Sequence, residues 1–357
     1  MNLRELDFPL RVYWDLNHGE HNKTIDCLRI CEDILEIKVL SLSLYEAGFP
    51  LSPSCIKVLE RLRNKNIAVS LTITNSALNT PTIELLIDLN VKTLFVDVSA
   101  LDELISTLCP PLAKGGRGDF GGISFNINRN NFHEIPDVLS CCIKKKIKHL
   151  AFPMQRLINK CVAGMTPQKN LPLPLFAKEG NALLNLPLIE WNYPSLWQRE
   201  DRRDFIIGSL HTYELLSINE SDCFYINKKD REELALRVNK INHENIKLII
   251  HDPFLWRVFY PSIDFPGGGC QAANSMIYIS PDSAVYPCPS MPVKLGDLKT
   301  QRLKEIILSP QKKELRKGLG IPPDECIDCK ELKQCMGGCR GRAYFLKGSL
   351  GYKDPAC

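Results

Sequence analysis

An α/β protein in two parts is what the sequence predicts: a partial, TIM-like (β/α) barrel and, behind it, a small cysteine-rich domain. Two observations carry this. Strand-like and helix-like segments alternate through the first two-thirds of the chain, the signature of parallel strands joined by crossover helices. After "PGGGC" at 266–270 the texture changes to turns, glycines and cysteines. The division falls between 1–262 and 263–357. Periodicity alone fits a doubly wound sheet as well as a barrel.

The elements follow in order. "RVYWDL" (11–16) reads as the first strand. Thr24 is placed to cap a helix reaching about residue 37, with Ile25, Leu28, Ile34 and Leu35 as its apolar positions. "KVLSLSLY" (38–45) is the second strand, and "EAGFPLSP" is a loop by its Gly and Pro content. An amphipathic helix over 55–66, a strand over 67–74 and a helix over 81–90 continue the rhythm, and further strands are expected at 91–99, 122–129 and 147–153. Two Pro/Gly-rich stretches interrupt it: "CPPLAKGGRGDFGG" (109–122) and "LPLPLFAKEGN" (171–181). They resemble each other and read as surface insertions near 109–122 and 165–190; the glycines of the first do not have P-loop spacing. A helix near 230–241 with Asp230 as N-cap, a strand over 246–251, a short helix in "QRLKEIILS" and another opening at Pro310 behind Ser309 complete the reading.

The chain has 357 residues and a net charge of +4, too mild a balance to argue for nucleic acid. Its one tight basic run, Lys144-Lys145-Lys146, reads as a solvated helix face. The amino-terminal stretch lacks the basic-then-apolar pattern of a signal peptide, and no apolar run approaches the roughly 20 residues that span a bilayer. The expectation is a soluble, cytoplasmic protein. Fifteen cysteines are many for such a chain, and in a reducing compartment clustered cysteines bind metal more readily than they form disulfides.

The tail carries Cys270, Cys288, Cys326, Cys329, Cys335, Cys339 and Cys357. Its core, "CIDCKELKQCMGGC", is C-x2-C-x5-C-x3-C. Such spacing lets one loop wrap thiolates around a metal centre while distant cysteines close the shell. Glycines beside them, as in "GGGC" and "MGGC", let the backbone approach and point N–H groups at sulfur. One four-thiolate site uses only four of the seven, so a second site is expected. Two iron–sulfur clusters fit; a zinc site on Cys326, Cys329, Cys335 and Cys339 is the alternative, since four thiolates also suit Zn²⁺.

This pattern resembles the SPASM domain, the twitch-related extension of many radical SAM enzymes. Cys270 and Cys288 match its first pair, with Ser283 where the family has Gly; Cys326 to Cys339 match the central block, and Cys357 the closing cysteine. The resemblance implies one [4Fe–4S] cluster on Cys326, Cys329, Cys335 and Cys357. It implies a second on Cys270, Cys288 and Cys339, with Asp264 a candidate for the fourth position.

The resemblance extends forward to a barrel of radical SAM type, with one departure. The loop behind the first strand, "NHGEHNKTID", has His18 and His21 but no cysteine before Cys27. Cys27, Cys31 and Ile34 stand at i, i+4 and i+7, on one helical stripe where cysteine behaves as a small hydrophobe. Ala47-Gly48-Phe49-Pro50 stands where the family carries G-G-E-P, while "TITN" (72–75) and "DVSALD" (97–102) keep the form of later landmarks. The two histidines read as solvated. A barrel without the three-thiolate initiator has no seat for reductive SAM cleavage, so bound SAM and independent radical SAM activity are not expected.

The combination is similar to the GeoRSP system SPASM domain proteins, through "HDPFLW" (251–256), "GCQAANSMIYI" (269–279), "VYPCPSMPVKLGDL" (285–298), "GGCRGRA" (337–343) and "DPAC" (354–357). That likeness implies an accessory role in ribosomal-peptide modification, as an electron relay or as a binder of a short precursor peptide or of a complete radical SAM/SPASM maturase, with no nucleic-acid or membrane partner. An active enzyme with a rebuilt cluster site on Cys27 and Cys31, and a binder stapled by clusters or zinc, are the competing readings. Arg340 and Arg342 are either cations that raise a cluster's potential or dock an acidic partner, or a solvated pair or bridge to Asp328 or Asp354. His251, Asp252 and Trp256 read as a strand-end turn stabilised by Asp and Pro, with a site there as the alternative.

Overall fold

Seven parallel strands, each added beside the one before it, form the wall of the molecule: β1 (Arg11–Asp15), β2 (Ser41–Glu46), β3 (Ala68–Thr74), β4 (Thr93–Val98), β5 (Gly121–Phe125), β6 (His149–Phe152) and β7 (Lys247–Ile250). A doubly wound sheet reverses direction of growth at a switch point; this one does not. Between the strands run α1 (Thr24–Glu36), α2 (Pro53–Leu62), α3 (Thr80–Asp88), α4 (Leu101–Thr107), α5 (Ile135–Lys144) and α6 (Lys228–Val238), with α7 (Pro253–Phe259) after β7. The computed structural model describes residues 5–16, 24–46, 50–74, 78–107, 120–154, 156–157, 225–263, 265 and 269–357. All of these belong to one compact unit spanning Met1–Lys169 and Phe224–Cys357.

Alternation decides what each face of the wall does, because successive side chains point to opposite faces. Val12 and Trp14 on β1 register with Leu42 and Leu44 on β2, which register in turn with Val69 and Leu71 on β3. All six are buried, as are Cys27, Ile30, Cys31 and Ile34 of α1. The other face of β1 to β3 is polar. Ser70 Oγ donates to Ser43 Oγ at 3.1 Å, Arg11 Nη1 donates to Tyr13 Oη at 3.0 Å, and Tyr13 Oη meets His251 Nε2 at 3.3 Å. That last contact settles the curvature. Laid flat, β1 and the end of β7 would stand about 29 Å apart at the usual interstrand spacing. The sheet therefore curls into a partial (β/α) barrel.

The tail contributes to the same wall. β8 (Met276–Ile279) pairs in parallel with β1, Arg11 facing Met276, and then turns back antiparallel into β9 (Ala284–Tyr286) and β10 (Gly296–Asp297). The hairpin turn is Ser280-Pro281-Asp282-Ser283. Ser283 N donates to Ser280 O at 2.9 Å and Ser280 N to Ala284 O at 3.0 Å, with Ser283 at φ +70°. A tight turn closed by a left-handed residue is where glycine is expected. The remaining elements are α8 (Leu303–Leu308), α9 (Pro310–Leu319), capped by Ser309 as expected, α10 (Leu332–Cys335) and α11 (Arg340–Lys347).

Several boundaries differ from the sequence reading. The helix expected at 230–241 starts at Lys228, because Asn227 caps it and Asp230 sits at the third position, completing a capping box. β5 starts at Gly121, one residue before the expected strand, and ends at Phe125, short of the expected 129. A Cβ on Gly122 would come within 2.7 Å of the Phe95 ring, so packing rather than a turn demands that glycine. The β8–β9–β10 meander lies where the sequence shows only turn texture, since its strands are too short for periodicity to register. The larger parts of both expected insertions lie outside the described residues, as do His18, His21, Ala47, Gly48, Phe49, Asn75 and Asp264. Among the described residues no helix is long and apolar enough to cross a membrane.

Candidate metal centre

The seven tail cysteines stand on short, tightly turned segments. Cys326 ends a 3-10 turn, its N–H donating to Pro323 O at 2.8 Å, and Cys329 N donates back to Cys326 O at 3.1 Å. Cys335 closes α10, Cys339 is the N-cap of α11, and Cys357 N donates to Asp354 O at 2.9 Å. Cys288 follows β9, and Cys270 precedes β8. All twelve described cysteines are free thiols.

Electrostatics sorts the seven into two sets. The Cys326 thiol is pushed up by burial and then by Cys335, Cys357 and Cys329. The Cys288 thiol is pushed up by burial and then by Cys270 and Cys339. Cys326, Cys329, Cys335 and Cys357 together line one cavity of about 400 Å³, beside Phe254 and Gly337. Cys339 faces a smaller cavity of about 60 Å³ at the barrel mouth, with Phe152, His251, Asp252, Ser290 and Arg342.

Backbone N–H groups converge on these sulfurs. Burial raises these thiols, and nearby backbone N–H groups act against it: those of Gly337 and Gly338 lower the Cys335 thiol, those of Ser290 and Met291 the Cys288 thiol, and those of Ala272 and Arg340 the Cys270 thiol. Arg342 N donates to Cys339 Sγ at 3.4 Å, and burial drives that thiol to about 12. Such donors favour thiolate over thiol. The sequence expectation for "MGGC" is met: Gly337 and Gly338 hold φ +85° and +73°, and a Cβ on Gly338 would lie 2.5 Å from Asp354 Cβ.

The donor set fits iron–sulfur clusters. Among the described residues no three His, Cys, Asp or Glu side chains are gathered tightly enough to hold a single ion. A cluster binds each thiolate through a different iron and asks for wider spacing, which the 400 Å³ cavity provides. Bound clusters store and pass single electrons at potentials set by charge, hydrogen bonds to sulfur and exposure.

Arg342 and Asp354 hold the tail in register. Arg342 Nε and Nη2 donate to Asp354 Oδ1 and Oδ2 at 2.7 and 2.6 Å, and Arg342 Nη1 donates to Asp252 Oδ2 at 2.6 Å. Asp354 also accepts from Cys339 N at 2.6 Å and Ala356 N at 3.0 Å. One buried ion pair thus ties a cysteine of each set to the other, and both sets to the barrel. Of the roles open to Arg342 in the sequence, the bridge to Asp354 is the one found, with Asp252 added. Neither arginine is solvated: Arg340 is 2% and Arg342 4% exposed.

Asp252 performs the strand-end role expected of it, accepting from Phe254 N and Leu255 N at 2.8 and 3.0 Å to cap α7. His251 is partly buried beside Tyr13, its pKa lowered to about 4 by desolvation and by Arg11. Trp256 packs on Tyr260 at 4.4 Å between ring centroids. The sequence reading missed Arg316, whose Nη1 donates to Cys270 O at 2.8 Å and Ala272 O at 2.9 Å while its other nitrogens grip Glu5. No spacing signal marks it, because its partners lie 46 and 311 residues away.

Cys27, Cys31 and Ile34 are fully buried on the α1 stripe. Burial raises the Cys27 thiol to about 11 and the Cys31 thiol to about 12, the condition of inert core thiols.

Known proteins resemble this chain in its tail and in its fold. The model of the SPASM iron–sulfur cluster-binding domain matches residues 270–330, which hold Cys270, Cys288, Cys326 and Cys329. The AdoMet-dependent heme synthase of Methanosarcina barkeri is 30% identical over 92 residues, 25% of this chain and 25% of that protein. Among solved structures, Streptococcus suis SuiB bound to S-adenosylmethionine covers 98% of this chain and 77% of its own, at TM-score 0.59 and 17% identity. SuiB bound to its precursor peptide SuiA gives TM-score 0.60 at 16% identity over 99% of this chain and 76% of its own. Native anSMEcpe with bound AdoMet gives 0.57 at 13% identity over 97% of this chain and 94% of its own. At these identities the likeness is one of fold: a partial (β/α) barrel followed by a small cysteine-rich domain.

Proposed function

We propose that this chain is an iron–sulfur accessory protein of the GeoRSP SPASM type, acting beside a complete radical SAM/SPASM maturase on a short ribosomal precursor peptide. Cys326, Cys329, Cys335 and Cys357 would hold one [4Fe–4S] cluster, and Cys270, Cys288 and Cys339 three corners of another. The chain would relay electrons through these clusters and bind peptide or maturase through its barrel. The observation that carries the reading is the contrast between the two ends of the chain. Donor-lined thiols gather in the tail, whereas Cys27 and Cys31 are sealed into the core. SuiB has been seen with its precursor peptide, which supports a peptide as the class of ligand for this fold.

Anaerobic reconstitution followed by iron and sulfide analysis tests the reading. About eight irons per chain are expected for two four-iron clusters; colourless, zinc-only protein would sink it. Reduced protein with SAM should yield no 5′-deoxyadenosine unless the maturase is added.

A further inference from the structure

The two tail arginines differ in what balances their charge. Arg342 is neutralised by Asp252 and Asp354. Arg340 is equally buried, yet its hydrogen bonds go to carbonyls: Nη1 donates to Ile321 O at 2.9 Å, and Nη2 donates to Leu350 O. Among the described residues no carboxylate pairs with it, and its Nε–H is buried without an acceptor. A buried cation left without a counter-ion, and a buried donor left unbonded, are both costly. Two thiols lie within electrostatic reach of this guanidinium, Cys270 from the three-cysteine set and Cys326 from the four-cysteine set. The Arg340 backbone N–H also acts on Cys270, favouring its thiolate against burial. Its Nη1 stands 3.5 Å from where a Gly337 Cβ would sit, next to the loop that wraps Cys335.

We propose that Arg340 is a positioning residue shared by both cluster sites, its guanidinium acting as the common counter-cation and its free Nε–H donating to a sulfur of one cluster. This rests on the cluster reading above. A fixed positive charge stabilises the reduced, more negative state of each cluster. One residue would therefore raise both potentials together, so that both clusters become easier to reduce. The carbonyls of Ile321 and Leu350 hold the guanidinium in place without neutralising it, which a carboxylate would do.

The test is a dithionite titration of the reconstituted full chain, followed by EPR, for wild type, Arg340→Gln and Arg340→Lys. Arg340→Gln should disfavour reduction of both clusters at least tenfold, a fall of about 59 mV for a one-electron couple, at unchanged iron content. Arg340→Lys, which keeps the charge, should recover most of that shift. Wild-type protein carrying arginine labelled with ¹⁵N in the guanidinium alone should show a ¹⁵N hyperfine coupling to a reduced cluster that is missing from Arg340→Lys. Full iron with unmoved potentials in Arg340→Gln, or absence of the ¹⁵N coupling, overturns the role of Arg340 and leaves the cluster reading standing. Failure of wild type to take up iron overturns both.

Discussion

Replacing Asp354 by Asn removes one charge from the centre of the tail while keeping its shape. Asp354 is 1% exposed and accepts four hydrogen bonds, from Arg342 Nε, Arg342 Nη2, Cys339 N and Ala356 N. Asparagine offers one oxygen and one NH2 group in place of two oxygens. If the oxygen keeps the Oδ1 bonds, the NH2 faces two donors, Arg342 Nη2 and Cys339 N. Breaking a buried ion pair by removing one partner costs about 3–5 kcal/mol. Arg342 retains Asp252 at 2.6 Å, which places the loss near the lower bound, about 3 kcal/mol, or roughly a hundredfold in the folding equilibrium. Anaerobic urea unfolding of the metal-free protein measures it as a fall in midpoint at constant slope. Because Asp354 anchors Cys339 of one set and lies three residues from Cys357 of the other, reconstituted iron should fall at both sites. A loss below about 1 kcal/mol, the worth of an ordinary neutral hydrogen bond, would refute the claim that this pair holds the tail together.

Other outcomes follow from particular backbone and core positions. Gly338→Ala adds a Cβ 2.5 Å from Asp354 Cβ at φ +73°, so strain of about 1–2 kcal/mol adds to overpacking of similar size; thermal unfolding should show a melting temperature lowered by several degrees and iron uptake should fall with it. Ser283→Gly relieves the left-handed strain at φ +70°, offset by the greater entropy of an unfolded glycine, for a net gain of about 0.5 kcal/mol; the urea midpoint should rise with iron content unchanged. Cys27→Ala with Cys31→Ala should cost about 1 kcal/mol per site by loss of buried volume and leave iron stoichiometry untouched, whereas Cys335→Ala should remove about half the iron; iron loss in the first variant would restore the case for a cluster site near the barrel's opening loop, in addition to the two in the tail.

The sequence by itself determined the seven barrel strands and the helices α1, α2, α3 and α6, because buried parallel strands and amphipathic crossover helices leave periodic marks within ten or so residues; α4, α5 and α7 emerged only in the structure. It also singled out the tail cysteines as a group, since C-x2-C-x5-C-x3-C is a local constraint on how a loop wraps, and gave the core fate of Cys27 and Cys31, since their spacing matches the helical repeat. Even the family's glycine at position 283 is physically legible: the backbone there is left-handed although the residue is serine. Tertiary structure alone decided what lies between distant segments. It showed that β8 of the tail joins β1 of the barrel, Arg11 beside Met276. It chose a curled sheet over a flat one through Tyr13 and His251. It separated two neighbouring arginines into one neutralised by Asp252 and Asp354 and one held by the carbonyls of Ile321 and Leu350. Charge pairing in a buried site depends on which side chains meet after folding, and no local pattern records a partner 90 residues away, as Asp252 is from Arg342.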